Sequence, residues 1–262
     1  MTSESFSTGC GEGFVNPEQR SELFVREQMA QTYAQLVAQR GAYWWYAVRE
    51  FVLERMRLHR GGKLYDAGCG VGLYTLAIAE RFAGVEIFAV DFSPASLQQL
   101  RQRLDGSSVR ARVQLFCADI TRFLPPAPVR WVLCTEVLQH LPTLQLRRQA
   151  LEHFYRALHP GGELWLLVAR HRRWHKRRGI PKEIDERPHG GYFRMRFLPR
   201  ELIQELRRAG FRRIRLYGAP VPPVRLGRHL PAPLWRCALW LERFPASAYL
   251  GEVLIARACK PC

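Results

Sequence analysis

Short apolar runs alternating with stretches of helical spacing set the frame of this chain. Residues 64–67, 85–90, 113–117, 131–134 and 163–168 read as near-continuous apolar strands. Between them, residues 73–82, 94–104 and 144–158 carry apolar side chains at the three- and four-residue intervals of a helix. Strands that are apolar on both faces and separated by helices predict a parallel sheet covered on both sides, an α/β fold.

Upstream, Asn16-Pro17 opens a helical pattern that extends to about Arg40, where Gly41 interrupts it. A second helix runs to about Leu58 and carries Tyr43-Trp44-Trp45-Tyr46, which reads either as packing against the sheet or as part of a lid over a ligand. Residues 1–16 are polar and read as a flexible leader. Beyond Val168 an irregular stretch reaches residue 197, followed by a helix from Pro199 to Ala209 and a strand over 211–217. A proline-rich connection and an amphipathic segment at 233–243 precede a last strand at 251–258. A long excursion between two final strands predicts an antiparallel hairpin at the sheet edge, with the excursion packed over the site. The expected organisation is a leader, N-terminal helices over 17–60 that pack on or cap the site as a lid, and one domain over 61–262 with acceptor-site insertions at about 170–197 and 218–249, the latter a C-terminal cap.

Composition narrows the partners. The 262 residues carry a formal net charge of +17, and 47% are hydrophobic. The charge is local: residues 170–236 hold nineteen lysines and arginines against five acids, whereas residues 1–169 are nearly balanced. No apolar run approaches the roughly 18 residues needed to span a bilayer, and no secretory pattern opens the chain, so a cytoplasmic protein is expected. The seven cysteines are scattered. Only Cys259 and Cys262 form a CxxC, at the end of the chain and without a second pair for zinc, so a frayed tail and no metal site are expected.

The chemistry gathers at Asp66-Ala67-Gly68-Cys69-Gly70-Val71-Gly72, where a strand ends in an acid and breaks into three glycines before a helix. Glycines let the main chain approach a ligand, and the following helix start offers unpaired N–H groups, so a nucleotide-like ligand is expected. Asp91 and Asp119 stand at or just beyond the ends of two further strands, the edge at which open parallel sheets bind ligands. Asp91 is suited to accept from both hydroxyls of a ribose. A dinucleotide fingerprint requires GxGxxG, and this turn reads GxGxG.

In order and spacing, five segments resemble the class I S-adenosylmethionine-dependent methyltransferases: the turn just described, Val90-Asp91-Phe92-Ser93, Cys117-Ala118-Asp119-Ile120, the stretch Leu133 to Leu141, and Leu158-His159-Pro160-Gly161-Gly162. The resemblance implies a Rossmann-like, mostly parallel seven-stranded sheet with an antiparallel last strand. It implies S-adenosylmethionine as cofactor, bound by Asp66, Gly68, Cys69, Gly70, Asp91, Phe92, Asp119, Ile120 and Thr135. In that scheme Asp66 receives the methionine ammonium, Asp91 holds the ribose, Phe92 lies against the adenine and Asp119 accepts from its amino group. His140 is either a structural residue or a general base, and Glu136 has the same two readings.

The family elaborates its acceptor site near the basic stretch, so Trp174, His189, Tyr192 and Arg194 are the candidate acceptor contacts. No Asn/Asp-Pro-Pro-Tyr/Phe or Pro-Cys motif of the nucleobase branches occurs, and Glu136 to His140 with Tyr192 to Leu202 looks most like the small-molecule branch. The leading expectation is O-methylation of a small acceptor that is anionic or lipid-linked. An RNA methyltransferase using the basic segment, peripheral contact with an anionic membrane, and an NAD-linked oxidoreductase stand as alternatives.

Overall fold

The computed structural model describes residues 16–38 and 41–262. The expected leader lies outside them except for Asn16. The Asn16 side chain accepts from the Glu18 N–H, Pro17 enters the first turn, and helix α1 then runs over Arg20–Ala38. Helix α2 (Gly41–Trp45), a π-helical turn (Tyr46–Glu50) and α3 (Phe51–Arg55) lead to the sheet.

The alternating part comprises β1 (Gly62–Ala67), α4 (Leu73–Arg81), β2 (Val85–Asp91), α5 (Pro94–Leu104), β3 (Val113–Cys117), β4 (Val129–Thr135), α6 (Leu144–Ala157) and β5 (Leu158–Ala169). Local chemistry marks the helix starts: Ser93 accepts from the Ser96 N–H and Thr143 from the Leu146 N–H. After β5 come α7 (Arg173–Arg177), β6 (Glu183–Asp185), β7 (Phe193–Met195), α8 (Pro199–Arg208), β8 (Arg212–Ala219), α9 (Val224–Gly227), α10 (Trp235–Glu242) and β9 (Val253–Cys259).

The main sheet has the order β3-β2-β1-β4-β5-β9-β8. The first five strands are parallel, and β9 lies antiparallel to both β5 and β8. Alternate residues feed two cores. Tyr65, Phe88, Val90, Val132, Leu164 and Leu166 pack with α6 and α8 on one face. Leu64, Ile87, Ala89, Trp131, Leu133 and Trp165 pack with α3, α4 and α5 on the other. Strand order reverses where β1 lies between β2 and β4, which opens a crevice at the carboxyl ends of these strands.

Three expectations change. The stretch 170–197 contains α7 and the antiparallel β6–β7 pair, which are too short to show a period in sequence. The excursion over 218–249 packs not over the crevice but against the N-terminal helices: the Trp235 ring lies 5.8 Å from Tyr43 and 5.6 Å from Tyr46. The CxxC tail is not frayed through Cys259, because that residue pairs with Glu163 and Arg212 at the end of β9. Among the described residues no His/Cys/Asp/Glu group could hold a metal, and no helix is long and apolar enough to cross a membrane.

Candidate active site

The crevice is a cleft of about 1090 Å³ counting its open mouth, within reach of the upper range of small-ligand sites. Its floor begins with the glycine turn after β1. Gly68 and Cys69 both donate their N–H to the Val90 carbonyl, tying the turn to β2. Gly68 has φ +79° and a Cβ there would stand 2.2 Å from Val137 Cγ2, whereas Gly70 at φ +53° has nothing within 4 Å on that side. Gly68 therefore serves packing, and Gly70 is the position that leaves room for a ligand.

Three acids line this floor with different unmet capacities. Asp66 accepts from Thr75 Oγ1 at 2.6 Å through Oδ2, while its buried Oδ1 has no partner. Burial pushes the Asp66 carboxyl up to about 7. Asp91 accepts from the Gly70 N–H at 2.8 Å and the Ser93 N–H at 2.9 Å, so it joins the glycine turn to the head of α5. Burial raises its pKa too, against those two hydrogen bonds. Asp119 accepts from the Thr121 N–H at 2.8 Å through Oδ1, and its buried Oδ2 has no partner. Phe92, Ile120 and Thr135 complete this part of the wall.

Beyond β4, Glu136 lines the cleft from a left-handed backbone with φ +58°. That conformation is uncommon for a residue with a Cβ, and such strain concentrates at functional sites. His140 is held tightly. Its Nδ1 lies 3.0 Å from the Phe193 carbonyl and its Nε2 3.4 Å from Gln139 Nε2, while its ring meets Tyr192 at 5.3 Å. A carbonyl at Nδ1 fixes the ring proton there. Burial, aided by the Arg26 charge, lowers the His140 pKa to about 3. A ring neutral at all ordinary pH values and bonded at both nitrogens is a poor general base, so the structure favours the structural reading of His140.

Helix α1 supplies the opposite wall through Glu22, Arg26, Met29, Ala30 and Tyr33, joined by Gln19 of the turn before it and by Trp44 and Trp45. Arg26 and Glu22 form an ion pair at 2.7 Å, and Arg26 also lies over the rings of Tyr33 and Tyr192. Glu27, one position round the helix, accepts from Ser93 Oγ and the Ala95 N–H and so clamps α1 to the start of α5. From sequence the helices over 17–60 are expected to pack on or cap the site, without Glu22, Arg26 or Tyr33 singled out. Their signal was a stripe of polar residues at positions 19, 22, 26 and 33, with helical spacing, that includes an i,i+4 Glu22–Arg26 pair.

The basic stretch takes no part in the lining: no residue of 170–262 lines this cleft among the described residues. Of the four expected acceptor contacts, Tyr192 touches His140 from behind and Arg194 lies close enough to depress its pKa. Trp174 is half-exposed on α7 between Arg172 and Arg178, and His189 stands exposed on a turn between β6 and β7.

Residues 65–164 match a family of methyltransferase domains. Over 117 residues the chain is 32% identical to carboxy-S-adenosyl-L-methionine synthase of Chromohalobacter salexigens, covering 44% of this chain and 43% of that protein. The chain thus spans less than half the length of that relative. It is 27% identical over 173 residues to ubiquinone biosynthesis O-methyltransferase of an Azoarcus species, covering 63% and 70% respectively. The fold matches 1,6-didemethyltoxoflavin-N1-methyltransferase of Burkholderia thailandensis, crystallised with bound 1,6-didemethyltoxoflavin and S-adenosylhomocysteine, with a TM-score of 0.61 at 18% identity over 95% of this chain and 92% of that one.

Proposed function

The chain carries a class I S-adenosylmethionine-dependent methyltransferase domain, and on that premise we propose that it methylates an oxygen of a small acidic acceptor held between the glycine turn and helix α1. The observation that carries the cofactor part is the pair of buried, unpartnered carboxylate oxygens, Asp66 Oδ1 and Asp119 Oδ2, on two residues that line the cleft with Gly70. Buried polar atoms without partners are rare in native proteins, and these two suit an ammonium and an amino group. S-adenosylmethionine supplies an activated methyl group when bound. Asp66 would receive its ammonium, Asp91 its ribose hydroxyls and Asp119 its adenine amino group, with Phe92 and Ile120 giving apolar contact. Three acids and no free base at the floor also suit a cationic sulfonium.

The acceptor would lie toward Glu136, Tyr33, Trp44 and Trp45. Among the described residues Arg26 is the sole guanidinium lining the cleft, and its flanking tyrosines hold it as an anchor for an anionic group. This moves the expected anion recognition from the 170–236 stretch to α1. His140 and Gln139 keep that wall rigid, and Glu136 is the carboxylate placed to orient an acceptor hydroxyl. In-line displacement at a sulfonium depends mainly on alignment and exclusion of water, which Trp44, Trp45 and α1 provide.

Arg26→Gln separates the cofactor part from the acceptor part. With methyl-labelled S-adenosylmethionine and a panel of hydroxylated carboxylic acids, kcat/KM for the best acceptor is expected to fall about tenfold to a hundredfold, the loss of one charge-assisted hydrogen bond. Affinity for S-adenosylhomocysteine is expected to stay within about twofold. An equal loss of both would assign Arg26 to the cofactor and remove it as the acceptor anchor.

A further inference from the structure

Of the large hydrophobic side chains exposed among the described residues, seven fall within one excursion of the chain, residues 224–250: Leu226, Leu234, Trp240, Leu241, Phe244, Tyr249 and Leu250. Their exposure runs from 41% for Leu241 to 65% for Leu226. The segment consists of short elements. Helix α9 is followed by a 3-10 turn at Ala232–Leu234, then by α10 and a second 3-10 turn at Pro245–Tyr249, and both turns pack against α10. Trp240 and Phe244 meet edge-on at 5.0 Å, so at least part of the apolar surface is continuous. Soluble surfaces seldom concentrate apolar side chains in this way without a partner.

Charge says what kind of partner. Arg225, Arg228, Arg236 and Arg243 are all exposed on the same segment. Its only acid, Glu242, is fully buried, where Oε1 accepts from the Val221 N–H. Burial pushes the Glu242 carboxyl up to about 9, so it brings no negative charge to this surface at neutral pH. Guanidinium groups interspersed with tryptophan, phenylalanine and leucine, with no exposed acid, match the interfacial zone of an anionic bilayer: arginines meet headgroup phosphates while aromatic and aliphatic side chains enter the acyl boundary. A nucleic-acid surface would pair the same charges with polar side chains, and seven exposed apolar groups would be left in water.

From this complementarity we infer that the 224–250 excursion is a membrane-docking surface for anionic lipid. The excursion is anchored from below. Trp235 packs on Tyr43 and Tyr46 and donates its indole N–H to the Leu230 carbonyl, while Tyr43 donates to the Pro222 carbonyl. The surface therefore stands on the helical segment whose Trp44 and Trp45 line the cleft. Docking there needs neither cofactor nor methyl transfer, so the inference stands or falls apart from the proposed activity.

Sedimentation of the full chain with vesicles tests it. Vesicles of phosphatidylglycerol and phosphatidylcholine are expected to bind at least tenfold more protein than vesicles of phosphatidylcholine alone, with binding weakened as salt rises from 50 to 300 mM. The double variant Trp240→Ser/Phe244→Ser changes two exposed side chains and is expected to keep the melting temperature and lose at least tenfold in vesicle affinity. Arg236→Gln/Arg243→Gln is expected to remove the preference for anionic lipid. Equal binding to both vesicles, absence of binding to either, or a Trp240/Phe244 variant that binds as well as the parent would each overturn the inference. So would tighter binding to a single-stranded RNA oligonucleotide than to the anionic vesicles at the same salt.

Discussion

Replacing Asp91 by asparagine is expected to lower affinity for S-adenosylhomocysteine about a hundredfold, near 3 kcal/mol, the loss of two hydrogen bonds to a charged acceptor. The size follows from what the carboxylate does twice over. Facing the protein, it accepts from the Gly70 and Ser93 N–H groups and so fixes the glycine turn against the head of α5. Facing the cleft, each oxygen keeps a lone pair, which in the proposed reading takes a hydroxyl of the ribose. An asparagine amide must turn an NH2 toward one of the two backbone donors, which costs the internal bond as well as the ligand bond. Calorimetric titration checks the value in a variant whose circular dichroism matches the parent. Unchanged affinity in that folded variant would take Asp91 out of the site.

A second large effect is expected on stability. Gly68→Ala should destabilise the fold by about 3 kcal/mol, a fall in melting temperature of about 6–12 °C for a protein of this size. Part of that comes from forcing a Cβ into left-handed backbone at φ +79°, and part from the 2.2 Å approach to Val137 Cγ2. Adding Val137→Ala is expected to recover the packing part and leave the backbone part. Gly70→Ala gives the contrast, since a methyl there meets no protein atom within 4 Å. It should carry only the left-handed backbone cost at φ +53°, a fall in melting temperature of about 2–8 °C, and yet bind S-adenosylhomocysteine poorly, because the added methyl occupies the ligand's side of the turn. A Gly68→Ala protein as stable as the parent would show that the turn relaxes away from Val137.

The sheet was legible because its signals are local and strong. Runs such as Val85–Val90 stop at an acid, Ser93 and Thr143 announce their helices, and Gly68, Gly70 and Gly72 break the chain at the crevice. The acids on the floor were legible for the same reason, since each ends or closely follows a strand. Of the opposite wall, the helices were expected at the site but their functional side chains were not legible. Glu22 and Arg26 are buried by the contact of α1 with the cleft edge, a long-range event that leaves no local mark beyond a polar stripe. The basic stretch misled in the other direction, because charge density reports a surface and not its address. Trp174 and His189 lie in that stretch and stand away from the cleft lining. The left-handed Glu136 was equally invisible, as nothing in Thr135-Glu136-Val137 requires φ +58°.

In the proposed reading the buried Asp66 must become a carboxylate to receive the methionine ammonium. Its folded pKa of about 7 lies above the ordinary 3.8, so in the free protein this group favours folding most at low pH, and that contribution is lost as pH rises through 7. Ligand binding has the opposite sign, since the ammonium needs the ionised form. Glu22 and Asp91, raised by burial as well, act in the same direction, and His140 at about 3 does not titrate in this window. The decisive measurement is calorimetric titration of the full chain with S-adenosylhomocysteine, and separately with NADH, between pH 5.5 and 8.5. The expected result is binding of S-adenosylhomocysteine that strengthens up to about tenfold per pH unit below 7 and levels above it, with no heat from NADH. Binding of NADH with none of S-adenosylhomocysteine at any pH would contradict the account.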